Sequence, residues 1–284
     1  MPIKRRLRKM LAETPRYLIM LVLALIFLLP IYWLFVSSVQ PAKTIFKFTR
    51  DVTWQTFFPA SLTLENYIYI FTPPSNFPRA LLNTLFVGVT TATVGMLINS
   101  LAGFAFAVFN FKGKKILFAL VLITFMMPFE SIVLPLYVLI RGLGWYDTYQ
   151  ALIFPALANG LMIFLFRQFL ASVPRDLYEA ARVDGASWLQ IYYKIAMPLA
   201  WPVIVTALLM MFTQVWESFF WPLIVAPTPE HVLIQIEIVR NINFDEAIWG
   251  RLFASSGIAT LVPLVLFLTL QKYYVRSMIS SAFK

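Results

Sequence analysis

The sequence contains no cysteine and one histidine, His231, among its 284 residues. The first absence excludes disulfides and thiolate sites. Together the two leave no His/Cys set at metal-ligand spacing and no cluster of the kind a membrane enzyme needs for catalysis. His231 falls in a loop and reads as solvated surface. Charge is scarce as well. Asp, Glu, Lys and Arg make up 13% of the chain, against about 25% in soluble domains. A phosphate-binding loop is also missing. The nearest approach, Gly113-Lys114-Lys115, has Val108 where the first glycine belongs and Lys115 where a hydroxyl belongs. No internal repeat and no low-complexity tract is visible.

What the chain does have is apolar surface. Hydrophobic residues make up 60% of it, including 27 Phe and 8 Trp. One soluble core cannot hide that much, so the excess must face lipid. A span needs about 20 mostly apolar residues to cross about 30 Å of hydrocarbon. Six segments qualify: Tyr17–Val39, Ala80–Phe109, Ile116–Ile140, Tyr149–Leu170, Val203–Val225 and Ala254–Tyr274. The basic start, Met1 to Met10, followed by an apolar run resembles a secretory signal. That run is too long for one, and no small-residue cleavage site closes it. We read it as a retained first helix. The expectation is an all-α membrane protein with about six spans forming a single transmembrane domain over residues 1–284.

The net charge of +10 is distributed, not pooled in a basic domain. It therefore speaks for topology and not for nucleic acid. With the N-terminus in the cytoplasm, sixteen Lys and Arg fall on inside segments and seven on outside segments. The positive-inside rule then places both termini in the cytoplasm. Two outside segments are long, about 40–79 and 226–253. Their mixture of aromatic and polar residues suggests ordered surface.

The inside segment from Ala171 to Met197 carries more local detail than a connection needs. Pro174 suits the first turn of a helix, where its missing N–H costs nothing. Asp176 and Glu179 place negative charge near the helix N-terminus. Leu177, Ala180, Ala181 and Asp184 share one helical face, and the small Ala side chains would admit a close neighbour. Gly185 supplies a helix stop. Ser187 and Gln190 form a capping box that starts a second helix, and Pro198 marks the approach to the fifth span. At this level the loop fits either a protein-docking surface or an amphipathic helix lying on lipid head groups.

The residues Glu179-Ala180-Ala181, Gly185, Ile195 and Pro198 resemble the EAA motif of ABC importer permeases. That motif reads E-A-A, three residues, G, nine residues, I, one residue, L-P. The spacing matches throughout, and Met197 stands in the place of Leu. The run from Asn83 through Pro222 is similar to the carbohydrate-uptake branch of that family, the maltose-type importers that depend on a binding protein. Met127-Pro128, Leu134-Pro135-Leu136, Phe166-Arg167-Gln168-Phe169, Asp184-Gly185-Ala186 and Trp221-Pro222-Leu223 add to the likeness.

The resemblance implies a type I ABC importer permease fold in a bacterial or archaeal inner membrane. It implies a dimer of ATP-binding cassette subunits, a second permease of different sequence and an extracytoplasmic substrate-binding protein as partners. ATP and magnesium would reside on the ATPase subunits, with no cofactor on this chain. Glu179, Ala180, Ala181, Asp184, Gly185, Ile195 and Pro198 would form the loop through which the ATPase couples to transport. Glu179 would pair with a basic residue of that subunit.

Intramembrane carboxylates are costly and point to an interior or a cavity. Glu130 in the third span and Glu217 in the fifth stand out. Gln214, Glu217 and Trp221 fall at i, i+3 and i+7 and would share a face suited to polyol binding. A structural role is the competing reading, especially for Glu130 beside the bend expected at Pro128. Related permeases often carry Asn at the position of Glu217, so the carboxylate disfavours an anionic cargo. Gly95, Asn99, Gly103 and Ala107 recur every four residues in the second span and suit close packing, with the second permease as one candidate neighbour. An ion-coupled secondary transporter is the alternative function. It would show internal repeats and would leave the loop motif unexplained.

Overall fold

With no water in the bilayer core, an apolar segment must satisfy its own backbone polar groups, and the helix does so within one segment. The computed structural model describes residues 2–47, 54–59, 61–240 and 249–282, with backbone alone for 2–12 and 272–282. The described helices are α1 (Pro2–Ser38), α2 (Trp54–Phe57), α3 (Glu65–Phe71), α4 (Phe77–Val108), α5 (Lys114–Met126) and α6 (Phe129–Gly142), then α7 (Tyr149–Leu157), α8 (Gly160–Ala171), α9 (Arg175–Val183) and α10 (Trp188–Ile191). A π-helical turn, Tyr192–Ala196, joins α10 to α11 (Met197–Leu199). The last four are α12 (Trp201–Trp216), α13 (Phe220–Val225), α14 (Ile234–Arg240) and α15 (Trp249–Ala282). Lys4, Arg5, Arg6, Arg8, Lys9, Arg50, Lys272, Arg276 and Lys284, which contribute to the charge asymmetry, lie outside the described side chains.

Four helical stretches are long and apolar enough to cross a membrane: Glu13–Ser38, Phe77–Val108, Tyr149–Ala171 and Trp249–Gln271. The count reaches six if each of two bent pairs is one span. The third expected span, Ile116–Ile140, is such a pair. Its halves, α5 and α6, meet at 100°. Proline disfavours the helical conformation in the residue before it, and Met127 is extended at φ −73°, ψ 127°. The fifth expected span, Val203–Val225, is not one helix either. α12 ends at Trp216 and α13 begins at Phe220. The π-helical turn precedes Pro198, which has no N–H to give to the carbonyl four residues back and whose ring crowds it.

The chain divides into two units. The first holds residues 1–75 and 238–258. Its segment after α1 is ordered by side-chain to backbone bonds. Asn66 donates to the carbonyls of Ser38 and Gln40, both at 2.9 Å. Trp249 meets Phe46 edge-on, and the Arg251 guanidinium lies over Tyr69 at 3.2 Å. The second unit holds residues 76–237 and 259–284. In it α4 packs against α7, α8 and α12.

The spacing of small residues explains that packing. A β-carbon on Gly95 would lie 2.2 Å from Met211 Cε, and one on Gly103 would lie 2.4 Å from Phe166 Cβ. Gly95, Asn99, Gly103 and Ala107 are all buried. The four-residue stripe therefore packs on this chain's own α8 and α12, not on a second permease as the sequence allowed.

Candidate functional site

The loop after α8 folds by its own local chemistry. Pro174 caps α9, and Asp176 stands in its first turn. Gly185 adopts φ +85°, which L side chains rarely tolerate. Its N–H donates to the Arg182 carbonyl at 3.1 Å, and the Ala186 N–H reaches the Ala181 carbonyl at 3.0 Å. Those two bonds make a Schellman end. Ser187 Oγ accepts from the Gln190 N–H, and Gln190 Oε1 accepts from the Ser187 N–H at 2.8 Å, which completes the capping box. Arg182 ties the two helices together. It donates to the Ala186 carbonyl at 2.6 Å and covers the Trp188 ring at 5.1 Å.

Aromatic side chains fix this loop to the end of α4. Tyr178, 4% exposed, is the buried residue of α9 and meets Phe104 edge-on. Burial raises its phenol above the usual tyrosine range, so it remains a neutral donor. Tyr192 shares a 2.7 Å hydrogen bond with Ser100, and Trp188 packs edge-on against Phe109. The opposite face is open. Leu177, Glu179, Ala180, Asp184 and Pro198 are exposed, while Ala181 and Ile195 are half-buried. Val183 at 88% and Leu189 at 65% extend the apolar part of that face. The sequence did not mark Tyr178, although it lies opposite the Leu177/Ala180/Asp184 face.

A second feature lies along α12. A cavity of about 850 Å³ is lined by Asn159, Thr206, Thr213, Gln214 and Glu217 together with apolar groups of α5 and α8. Asn159 Nδ2 donates to Gln214 Oε1 at 3.3 Å. Glu217 is the C-cap of α12, and its side chain is exposed. The structure therefore brings Gln214 and Glu217 together. Trp221 shares with Gln214 the lining of an adjoining smaller cavity and does not line the one that holds Glu217. The i, i+7 relation requires an unbroken helix, and α12 stops before Glu217. Pro222 sits in the first turn of α13, where a proline is tolerated. Trp221 is instead 8% exposed, donates to the Ala151 carbonyl at 3.0 Å and lines that smaller cavity, of about 370 Å³, beside Phe129. Glu130 stands in the first turn of α6 directly after Pro128 and lines neither cavity.

Asn159 interrupts the expected Tyr149–Leu170 span. Its side chain accepts from the N–H groups of Leu161 and Met162 and so caps α8. Asn99, from α4, closes the gap. Its amide donates to the Leu157 carbonyl at 2.9 Å, and its Oδ1 accepts from the Asn159 N–H at 2.9 Å. The Asn159-Gly160 pair is an ordinary turn signal, hidden in an apolar run. His231 also needs correction. It is 21% exposed, packs edge-on against Tyr149 and sits 3.6 Å from Asp147 Oδ2. Asp147 has φ +57° and accepts from Thr228 Oγ1 at 2.7 Å, which draws the loop after α13 over the imidazole.

Comparison with known proteins agrees with this arrangement. The family described as binding-protein-dependent transport system inner membrane component matches residues 95–280. The arabinooligosaccharides transport system permease protein of Bacillus subtilis is 31% identical over 91% of each chain. A probable ABC transporter permease protein of Pyrococcus horikoshii is 35% identical over 89% of this chain and 91% of its own. In fold, a bacterial ABC transporter chain involved in import of the acidic polysaccharide alginate superposes with a TM-score of 0.81 at 20% identity, covering 93% of this chain and 96% of that one. The ion-coupled alternative is not favoured by these matches. The chain is a permease subunit of an ABC importer and belongs to the binding-protein-dependent transport system inner membrane component family.

Proposed function

We propose that this subunit forms half of the pathway for a neutral sugar or sugar-like polyol. The observation that carries this reading is the convergence of Asn159, Gln214 and Glu217 on one cavity. Amide and carboxylate groups hydrogen-bond to hydroxyls, and the carboxylate opposes an anionic cargo. Similar chains include the arabinooligosaccharide permease and a lactose transport system permease protein of Rhizobium radiobacter, 26% identical over 97% of this chain. An sn-glycerol-3-phosphate permease of Rhizobium meliloti, 28% identical over 93% of this chain, shows that the same framework also serves a phosphate ester.

In this reading residues 1–284 act as one membrane domain with both termini in the cytoplasm. Glu179, Ala180, Ala181, Asp184 and Gly185 present the docking face for an ATP-binding cassette subunit, with Ile195 and Pro198 setting the approach to α12. ATP and magnesium are held by the ATPase dimer, and this chain hydrolyses nothing itself. A binding protein delivers the cargo at the opposite face, where a second permease completes the pathway.

The test is uptake by the importer reconstituted with its co-expressed subunits. Uptake of a labelled neutral oligosaccharide should require ATP, and an acidic sugar should be carried at least several-fold more slowly. Glu179→Lys should release the ATPase subunit while the chain still inserts. Uptake that followed a sodium or proton gradient without ATP would overturn the reading. Normal uptake by Glu179→Lys would remove the docking role from the loop.

A further inference from the structure

Two cations, Lys114 and Arg167, stand where α5 packs on α8, with Arg175 at the start of α9, and the transport reading uses none of them. Lys114 opens α5, Arg167 lies near the end of α8, and Arg175 opens α9. Arg167 lies over Phe118, one helical turn along α5 from Lys114, so the two positive charges are neighbours. None of the three has a carboxylate within ion-pairing distance among the described residues, Asp176 included. Lys114 Nζ spends one hydrogen on the Phe109 carbonyl at 2.8 Å. Two remain for another acceptor. The Arg167 guanidinium lies over the Phe118 ring at 4.1 Å, and its Nε is sealed from solvent without a hydrogen-bond partner. The Phe118 face attracts the guanidinium, and an anion would take up the N–H groups that both cations leave free.

An apolar groove begins beside these cations. It has a volume of about 360 Å³ and is lined by Phe106, Leu117, Leu120, Val121 and Ile163. Phe106 packs on Phe118, the ring beneath Arg167, at 5.4 Å, so groove and cations adjoin. From Lys114 to Thr124 the wall climbs ten residues, about 15 Å of helix. That is about half of a 30 Å hydrocarbon core, the depth of one leaflet. A cationic mouth at the interface leading into a leaflet-deep apolar groove fits a molecule with a phosphate at one end and an acyl chain at the other.

We propose that Lys114 and Arg167 bind the phosphate of an anionic phospholipid whose acyl chain occupies the groove between α4, α5 and α8. Basic pockets between spans commonly hold anionic head groups, and the groove here adds selection for a lipid over a free ion. This inference does not depend on the identity of the cargo.

The experiment uses the full-length chain purified with its co-expressed partner subunits in detergent. Phosphatidylglycerol, phosphatidylcholine and inorganic phosphate are titrated separately and read by native mass spectrometry. Wild type should retain phosphatidylglycerol in preference to phosphatidylcholine. The double variant Lys114→Gln/Arg167→Gln should lose about 10- to 30-fold of apparent affinity for phosphatidylglycerol, with phosphatidylcholine unchanged. Leu120→Trp fills the groove at an exposed position, keeps both charges and should weaken phosphatidylglycerol alone. Inorganic phosphate that displaced the lipid at equal concentration, with Leu120→Trp silent, would assign a free-phosphate site and overturn the lipid. Equal phosphatidylglycerol binding by wild type and double variant would overturn the site altogether. Loss of the ATPase subunit from the double variant, with lipid retention unchanged, would assign the cations to that protein contact instead.

Discussion

The loop from Ser172 to Pro198 and the span from Tyr149 to Ala171 both interrupt a helix, and they satisfy the interruption by opposite means. In the loop every turn-forming bond joins residues within six positions of each other. Gly185, Arg182, Ser187 and Gln190 satisfy one another. In the span, the break at Ala158–Asn159 is completed by Asn99, which lies 58 and 60 residues away from its two backbone partners. Water can satisfy a loop that opens. Within the bilayer no such substitute exists, so the break depends on α4 being in place.

That contrast predicts where substitutions are felt. The largest effect should come from Asn99→Leu. It keeps the volume roughly constant but strands the Leu157 carbonyl and the Asn159 N–H, at about 1–3 kcal/mol each. The purified complex should melt at a markedly lower temperature, and a wild-type melting curve would break the comparison. Gly185→Ala should come next, at about 1–2 kcal/mol for an L residue held at positive φ. Its signature should be local. Hydrogen exchange should rise in α9 and α10, while the melting temperature of the span bundle stays constant. Ser187→Ala should cost about 1 kcal/mol through loss of the cap, with faster exchange confined to the start of α10. Glu217→Gln should leave stability within about 0.5 kcal/mol, as expected of an exposed position. It should raise the relative uptake of acidic over neutral sugars several-fold. An unchanged ratio across a sugar panel would make Glu217 structural.

The same contrast explains what could be read from the sequence. The helix–Gly185–helix form of the loop was legible because proline, glycine and capping residues act on their immediate neighbours. The Pro128 break was legible as a bend, but its 100° angle was not, because angles are set by packing. The single Gln214/Glu217/Trp221 face was only partly legible: the helix ends at Trp216 and restarts at Phe220, so Gln214 lines one cavity with Glu217 and an adjoining one with Trp221. The partner of Gly103 could not be read from spacing alone. A small residue announces a close neighbour without naming it, and the neighbour is Phe166 of the same chain. Tyr178 escaped notice because its role as an anchor depends on Phe104, another long-range contact. The outward face of Glu179 and Ala180 was legible for the converse reason, since both are exposed among the described residues.

Asn99 has a mechanical consequence. A break at which one side chain holds the groups on both sides, the Leu157 carbonyl and the Asn159 N–H, behaves as a riveted joint. α4, α7 and α8 can then tilt only as a block, and they carry the Asn159 wall of the cavity with them. The end of α12 is tied in the same way, Gln235 donating to the Trp216 carbonyl at 3.0 Å, whereas the α5–α6 elbow on the opposite wall carries only local hydrogen bonds among the described residues. Any change in the width of the cavity should therefore originate on that side, with the Asn159 wall serving as the stationary jaw of a vice.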